Sequence, residues 1–378
     1  MWMLQVRPWL RKFLLGAALL ASPWVGAAQL VIAQVAPLSG LDANQGRAYS
    51  VGMQLYLNNV NKAGGVNGHT FALLRKDDGG HADDTLAGTR QLLADGRPLV
   101  LAGYFGSRGV DEVVKSGLLQ QEKIALVGYR TAEIRPETPL VYSVRANLRD
   151  EINKITEHLV TVGITRFGLF YEDGPAAAAL LAAADDATRR TGAQITARAA
   201  YPAGTASVKK AVDVFIAAQP QAIIMVASGA AAAGFIEQYR AGGGAAQLFA
   251  HSGADIEQLS KRLSDEQMQG VAIAQVTPSP YKISGRLAKE FNDTVAKTPN
   301  LEVPVSYAMM EGYIAAKVIV EAVRRMGAKP SREGIPAALD SMDNVDLGGY
   351  LIGYRPGMRS GSRFVELSII SGTGRIRQ

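Results

Sequence analysis

PLVLAGYFGSRGVDEVVKSGLLQQEKIALVGY, Pro98 to Tyr129, is the stretch on which the reading of this chain turns. Two short, nearly continuous apolar runs, PLVLAGY and IALVGY, enclose one amphipathic segment, GVDEVVKSGLLQQ. Apolar runs without alternation are expected of parallel strands buried on both faces, and a helix between them makes a βαβ unit. The same rhythm precedes it: LVIAQVAP as strand, AYSVGMQLYLNNVNKAGG as a helix ended by Gly64 and Gly65, FALLRKDD as strand, then a helix from about Asp83 to Ala94. Repetition of this unit builds an open, doubly wound parallel sheet.

After LVYSVRANLRDEI the rhythm restarts. Helix 147–162 leads to RFGLFYED, an alanine-rich helix (PAAAALLAAADDATRR), ITARAAYP, helix 207–218, QAIIMVASG, helix 230–241, QLFAHSG, helix 255–263 and GVAIAQV. The alanines favour helix and allow close approach to a sheet. Beyond VTPSPYK come helices near 284–296, 305–326 and 331–341, then two strands in GGYLIGYRPG and RFVELSII. That tail has too few strands for a sheet of its own and completes the two earlier units. The expected fold is α/β, two doubly wound lobes with a cleft at the carboxyl ends of their strands, where such folds bind ligands.

The composition narrows the class. With 48% hydrophobic and 20% charged residues the chain is that of a soluble globular protein, and 378 residues suffice for two cores. It has no cysteine, which excludes disulfides, thiol catalysis, zinc–thiolate sites and a cysteine-linked lipid anchor. Arg7, Arg11 and Lys12 precede the apolar run FLLGAALL and the small residues of SPWVGAA, the pattern of a secretory signal peptide over 1–28. The run is shorter than the roughly 20 residues that span a bilayer. Cleavage would remove three basic residues and no acid, so the formal +6 falls to +3. The remaining Lys and Arg are dispersed, without the footprint of a nucleic-acid binder.

Gly103, Gly106 and Gly109 spell G-x-x-G-x-x-G, which is neither a dinucleotide fingerprint nor a P-loop. No G-x-S-x-G surrounds Ser39, Ser228 or Ser252, and H-E-x-x-H is absent. No cofactor is expected. What the loop offers is a tight turn, a Ser107 placed to cap the following helix, and free N–H groups that suit a carboxylate. Ser107 either contacts ligand or only caps its helix. In the next strand-end loop, Thr131 offers a hydroxyl, and Arg130 either pairs with a carboxylate or points to solvent. Tyr104, Phe105 and Tyr129 either wall an apolar group or pack internally. The second lobe contributes Tyr171, Ser228 and Ser252 at strand ends, and Asp173 either meets an ammonium or caps a helix. Asp77, Asp78, His81, Asp83 and Asp84 in DDGGHADD suggest a metal, but a strand-ending turn and a helix's acidic first turn explain them better. No metal site is expected.

Taken together, APLSG with the following Gly46, NKAGGVNG (Asn61 to Gly68), KDDG, LAGYFGS, VASGAAAAGFI, AQVTPSP (Ala274 to Pro280), EGYIAAKVIVEAVRRMG (Glu311 to Gly327) and LGGY (Leu347 to Tyr350) carry a resemblance. The chain resembles the periplasmic solute-binding proteins of ABC transporters, type I fold, in the leucine/isoleucine/valine-binding-like branch. The resemblance implies two lobes joined by three crossovers, near Val144, Gln275 and Tyr350. Lobe 1 would be 29–144 plus 277–348, and lobe 2 would be 145–276 plus 349–378. It also implies that Ser107 and Thr131 hold a ligand carboxylate. The aromatic–glycine pair expected after the second lobe's first strand is replaced by Gly174 and Pro175, and AHSGAD has no glutamate for an ammonium. Arg130 would favour a second anionic group or an aromatic acid.

The implied role is a periplasmic, non-enzymatic, monomeric receptor without a lipid anchor. It would close on a small carboxylate-bearing solute, a branched-chain or other amino acid or an aliphatic or aromatic acid. It would then present that solute to an inner-membrane permease with cytoplasmic ATPase subunits. The alternatives are a sensory ligand-binding protein for a signalling partner and an exported two-lobed enzyme acting on a small carboxylate.

Overall fold

The computed structural model describes residues 28–135 and 137–370, and the backbone of 376–377. The expected signal segment, apart from Ala28, lies outside the described residues. In chain order the first part runs β1 (Gln29–Ala36), α1 (Ala43–Lys62), β2 (Thr70–Asp77), α2 (Ala82–Gly96), β3 (Val100–Phe105), α3 (Ser107–Lys115), α4 (Leu118–Gln121), β4 (Leu126–Arg130) and β5 (Val141–Tyr142). The second part comprises α5 (Leu148–Thr161), β6 (Arg166–Glu172), α6 (Ala177–Thr191), β7 (Gln194–Tyr201), α7 (Lys209–Ala218), β8 (Ala222–Val226), α8 (Gly229–Ala241), β9 (Gln247–Ala250), α9 (Ile256–Arg262), α10 (Asp265–Met268) and β10 (Val271–Gln275). The tail adds α11 (Arg286–Ala296), α12 (Tyr307–Met326), α13 (Gly334–Asp340), β11 (Val345–Asp346), β12 (Leu351–Ile352), β13 (Glu366–Ile370) and β14 (Ile376–Arg377).

Strands β2-β1-β3-β4-β5 form one sheet, parallel throughout. The other has the order β14-β13-β10-β9-β8-β6-β7, parallel except where β13 joins β10 and β14. Each sheet is covered on both faces. In the first lobe Val100, Ala102 and Val127 face α1 and α12, whereas Leu101, Leu126 and Val141 pack with Val110 and Val113 of α3. The apolar runs of the opening stretch are therefore strands, because each has two faces to bury. The segment between them is two helices rather than one, since Gly117 takes φ +72 and breaks it.

The tail helices pack on the first lobe's core, while β13 returns to the second sheet. The chain thus passes between the lobes three times: after Tyr142, after Gln275 and after Ile352. Two tyrosines lace these crossings together. The single proton of the Tyr350 hydroxyl is shared between the carbonyls of Val144 (2.9 Å) and Val276 (3.0 Å), and Tyr354 donates to the carbonyl of Ser143 (2.9 Å). GGYLIGYRPG supplies this lacing together with β12, which pairs with β11 in a two-stranded hairpin, instead of a strand of a main sheet.

Helix α1 crosses α12 with backbones in contact. A Cβ on Gly52 would sit 1.9 Å from the Met309 carbonyl oxygen, and one on Gly312 would sit 2.0 Å from that of Tyr49. Only glycine allows this approach.

Candidate functional site

The site grows from the ends of β3 and β4. Their register pairs Phe105 with Arg130, and Gly106 donates its N–H to the Arg130 carbonyl at 2.9 Å. Ser107 and Thr131 therefore leave neighbouring strands side by side. Gly106, at φ +85, takes the capping position, so Ser107 is the first helical residue of α3 and makes no capping bond. Its expected capping role is corrected by that turn. Both Ser107 and Thr131 are partly exposed at the strand ends.

Two glycines decide which side chains face the other lobe. Gly103 (φ +70) and Gly128 (φ +73) interrupt the alternation of β3 and β4. Tyr104 accordingly falls on the same face as Leu101, fully buried, with its hydroxyl bonded to Thr89 at 2.8 Å. Tyr129 packs against that same cluster, and burial pushes its hydroxyl up to about 12. Both tyrosines thus pack internally, away from the other lobe. Phe105 and Arg130 point the opposite way, the guanidinium 5.8 Å from the ring centroid.

Arg130 is buried where the lobes meet. Its Nη2 donates to the carbonyl of Ser252 in the second lobe at 3.4 Å, and its Nη1 lies 3.4 Å from Glu311 on α12. Glu311 is also 3.6 Å from Arg145, in the first crossing, and Arg145 donates to Glu151 of α5 at 2.7 Å. Glu151 accepts the Ser252 N–H (2.7 Å) and its hydroxyl (3.1 Å), and Arg145 also donates to Ser252 Oγ. A buried chain of charge therefore runs from the second lobe through the first crossing to the first lobe. Ser252 belongs to this chain of contacts.

The remaining expected residues lie along the second lobe's rim. Tyr171 is half-buried against that lobe's core, and Asp173 is exposed, its N–H bonded to the Tyr201 carbonyl. Helix α6 starts from Ala176 without a side-chain cap, so Asp173 does not cap it. Ser228 caps α8, accepting the Ala231 N–H at 3.4 Å. Asp77 and Asp78 accept hydrogen bonds from the turns around them, Asp77 from the N–H groups of Leu38, Ser39 and Gly79 and Asp78 from Gly80 and Thr85. His251 has both ring nitrogens engaged, Nε2 with the Ala227 carbonyl (3.0 Å) and Nδ1 with the Gly253 N–H (3.2 Å). Burial holds it neutral, and its bonding does not aim it at Ser252 as a base.

Beside this core the seam opens into a cavity of 360 Å³, within the range of small-ligand pockets. Asn44 and Ala48 line it from the first lobe, Asp255, Glu257 and Lys261 from α9, and Tyr281 from the second crossing. Glu257 Oε1 accepts the Tyr281 hydroxyl (2.6 Å) and the Tyr307 N–H (2.9 Å). Burial, reinforced by the neighbouring Asp255, pushes the Glu257 carboxyl up to about 8. Its proton is therefore bound in the folded protein and already lost from the unfolded chain between the ordinary 4.5 and about 8. The contribution of this group is complete below 4.5 and is lost as pH rises through 8. Urea unfolding at pH 5 and pH 8 should show wild-type stability falling across that interval, with a shallower fall in Glu257→Gln. Equal slopes would contradict the assignment.

Sequence reasoning missed Tyr49, Arg145, Glu151 and Glu311. The available signal was charge in apolar company: Glu311 within MMEGYIAA and Arg145 within VYSVRA.

Two doubly wound lobes, three laced crossings and a buried cationic group between them define a two-lobed ligand-binding protein. The chain belongs to the periplasmic binding protein family, whose profile it matches over residues 29–363. It is similar to a substrate-binding periplasmic protein from Ralstonia solanacearum at 34% identity over 92% of this chain and 99% of that one, with TM-score 0.85. A fatty acid ABC transporter substrate-binding protein from Thermomonospora curvata (17% identity, 92% and 91% covered, TM-score 0.80) shares the fold. So does a leucine-binding protein from Thermotoga maritima (19%, 92% and 98%, TM-score 0.78). Among curated proteins none matches the sequence significantly. No helix among the described residues is long and apolar enough to cross a membrane.

Proposed function

We propose that the protein is the periplasmic substrate-binding component of an ABC transporter, exported by its N-terminal segment and monomeric. It captures a small carboxylate-bearing solute by lobe closure and delivers it to a membrane permease driven by ATPase subunits. The observation that carries the reading is Arg130, 6% exposed between the lobes, whose Nε and Nη1 hydrogens have no hydrogen-bond partner, Nη1 being ion-paired with Glu311 without hydrogen-bond geometry. Buried guanidinium donors left open in this way are suited to a ligand. Ser107 and Thr131, two residues and one residue beyond the paired ends of β3 and β4, provide hydroxyls and the N-terminus of α3 for a carboxylate. The names of structural neighbours, a leucine-binding and a fatty acid-binding protein, are consistent with acids as a class. Lobe boundaries at 144, 276 and 348 would place this site between the lobes, beside the first crossing.

Calorimetry against amino, aliphatic and aromatic acids tests the reading. Ser107→Ala and Thr131→Ala should each weaken the acid that binds by about 1–3 kcal/mol, the cost of a buried hydrogen bond. Unchanged affinity in both variants would remove these residues from the site. Recovery of chemically altered ligand would favour an enzyme instead.

A further inference from the structure

Three buried side chains of the first lobe keep polar atoms without hydrogen-bond partners. Arg130 leaves Nε–H and Nη1–H, Glu311 leaves Oε1, and Tyr49 leaves its hydroxyl. These residues are 6%, 2% and 1% exposed. Arg130 and Glu311 are neighbours, Nη1 and Oε2 lying 3.4 Å apart without hydrogen-bond geometry, while the Tyr49 hydroxyl lies against Gly128, two residues before Arg130, its proton held by burial and by the charge of Glu311. Native interiors seldom leave such groups open, because each costs its full desolvation.

The open set is mixed. It has donors on Arg130, an acceptor on Glu311 and a hydroxyl that serves either way. Its charge is also balanced, with Arg130 and Arg145 set against Glu151 and Glu311 through the same ion pairs. A carboxylate brings acceptors only. It would satisfy Arg130 but leave Glu311 Oε1 unpaired and opposite a like charge. A carbonyl with an adjacent N–H matches both sides.

We propose that Glu311 makes the buried seam between the lobes selective for an uncharged amide-like edge, a primary carboxamide or ureido group. Its carbonyl accepts from Arg130 and its N–H donates to Glu311 Oε1. The inference rests on the solute-binding reading and sharpens it: the ligand has a carboxylate for Ser107 and Thr131 and an amide-like edge for Arg130 and Glu311. Arg130 then receives a neutral group, in place of the second anion expected from its charge alone.

The test is calorimetry with short aliphatic diacids, each paired with its monoamide, against wild type, Glu311→Gln and Tyr49→Phe. A monoamide should bind about tenfold or more tighter than its diacid, the usual effect of leaving a buried polar group unpaired. In Glu311→Gln, whose side-chain amide can donate to a carboxylate, that ratio should shrink or reverse. The ratio is independent of the folded fraction, and the wild-type and Tyr49→Phe panels decide the matter if Glu311→Gln fails to fold. In Tyr49→Phe the preference should persist, because Arg130 and Glu311 remain. Diacids binding as well as monoamides, a ratio unchanged in Glu311→Gln, loss of the preference in Tyr49→Phe, or ordered water alone between Arg130 and Glu311 in a bound structure would overturn the inference. Simple monocarboxylates binding without any amide advantage would count against this inference alone; binding of no acid or amide at all would overturn both readings.

Discussion

Arg145→Ala is expected to lower the unfolding free energy by about 3–5 kcal/mol, the usual effect of stripping one partner from a buried charge pair. Glu151 and Glu311 are 1% and 2% exposed, and Arg145 lies against both. Its removal leaves Glu151 without a cation and Glu311 with Arg130 alone, and also takes a donor from Ser252. Against a total stability of roughly 5–15 kcal/mol this is a large fraction. Urea unfolding measures it, and a loss below about 1 kcal/mol would show that the carboxylates find other partners. The double replacement Arg145→Met, Glu151→Gln, which keeps the Arg130–Glu311 pair, should recover much of the loss, because a buried ion pair exchanged as a unit is often close to neutral.

Gly312→Ala should cost about 3 kcal/mol or more, at the upper end of what overpacking brings. In an exposed helix the same exchange would stabilise by about 1 kcal/mol, so the sign itself is diagnostic. The added methyl would stand 2.0 Å from the Tyr49 carbonyl oxygen, and both contacting groups belong to helix backbones that cannot rotate aside. Helices α1 and α12 must separate. That displaces Tyr49 and with it Glu311, the ion-pair partner of Arg130, so ligand affinity should fall along with stability. A variant as stable as wild type in urea would mean that the crossing is looser than described.

The fold was largely legible. Continuous apolar runs such as IALVGY can be buried only between two layers, and their helices follow from the same spacing. The strand-end loops placed Ser107, Arg130 and Thr131 together for the same reason: a parallel register brings successive βα turns to one edge. Tyr104 and Tyr129 were not legible, because the period-two alternation of a strand is inverted by Gly103 and Gly128, whose conformations a sequence does not display. Nor was the chain from Glu151 to Arg130. Its members come from α5, the first crossing, α12 and β4, and only tertiary packing makes them neighbours.

The lacing of the crossings by Tyr350 has a mechanical meaning. Hydrogen bonds of 2.9 and 3.0 Å to Val144 and Val276 survive a change of angle but not a slip of an ångström or so. Any motion that keeps them must pivot about a line close to that hydroxyl. Displacement then grows with distance from the pin, so the parts of each lobe farthest from Tyr350 sweep the longest arc. Two halves pinned in this way would swing like a door on its post instead of sliding.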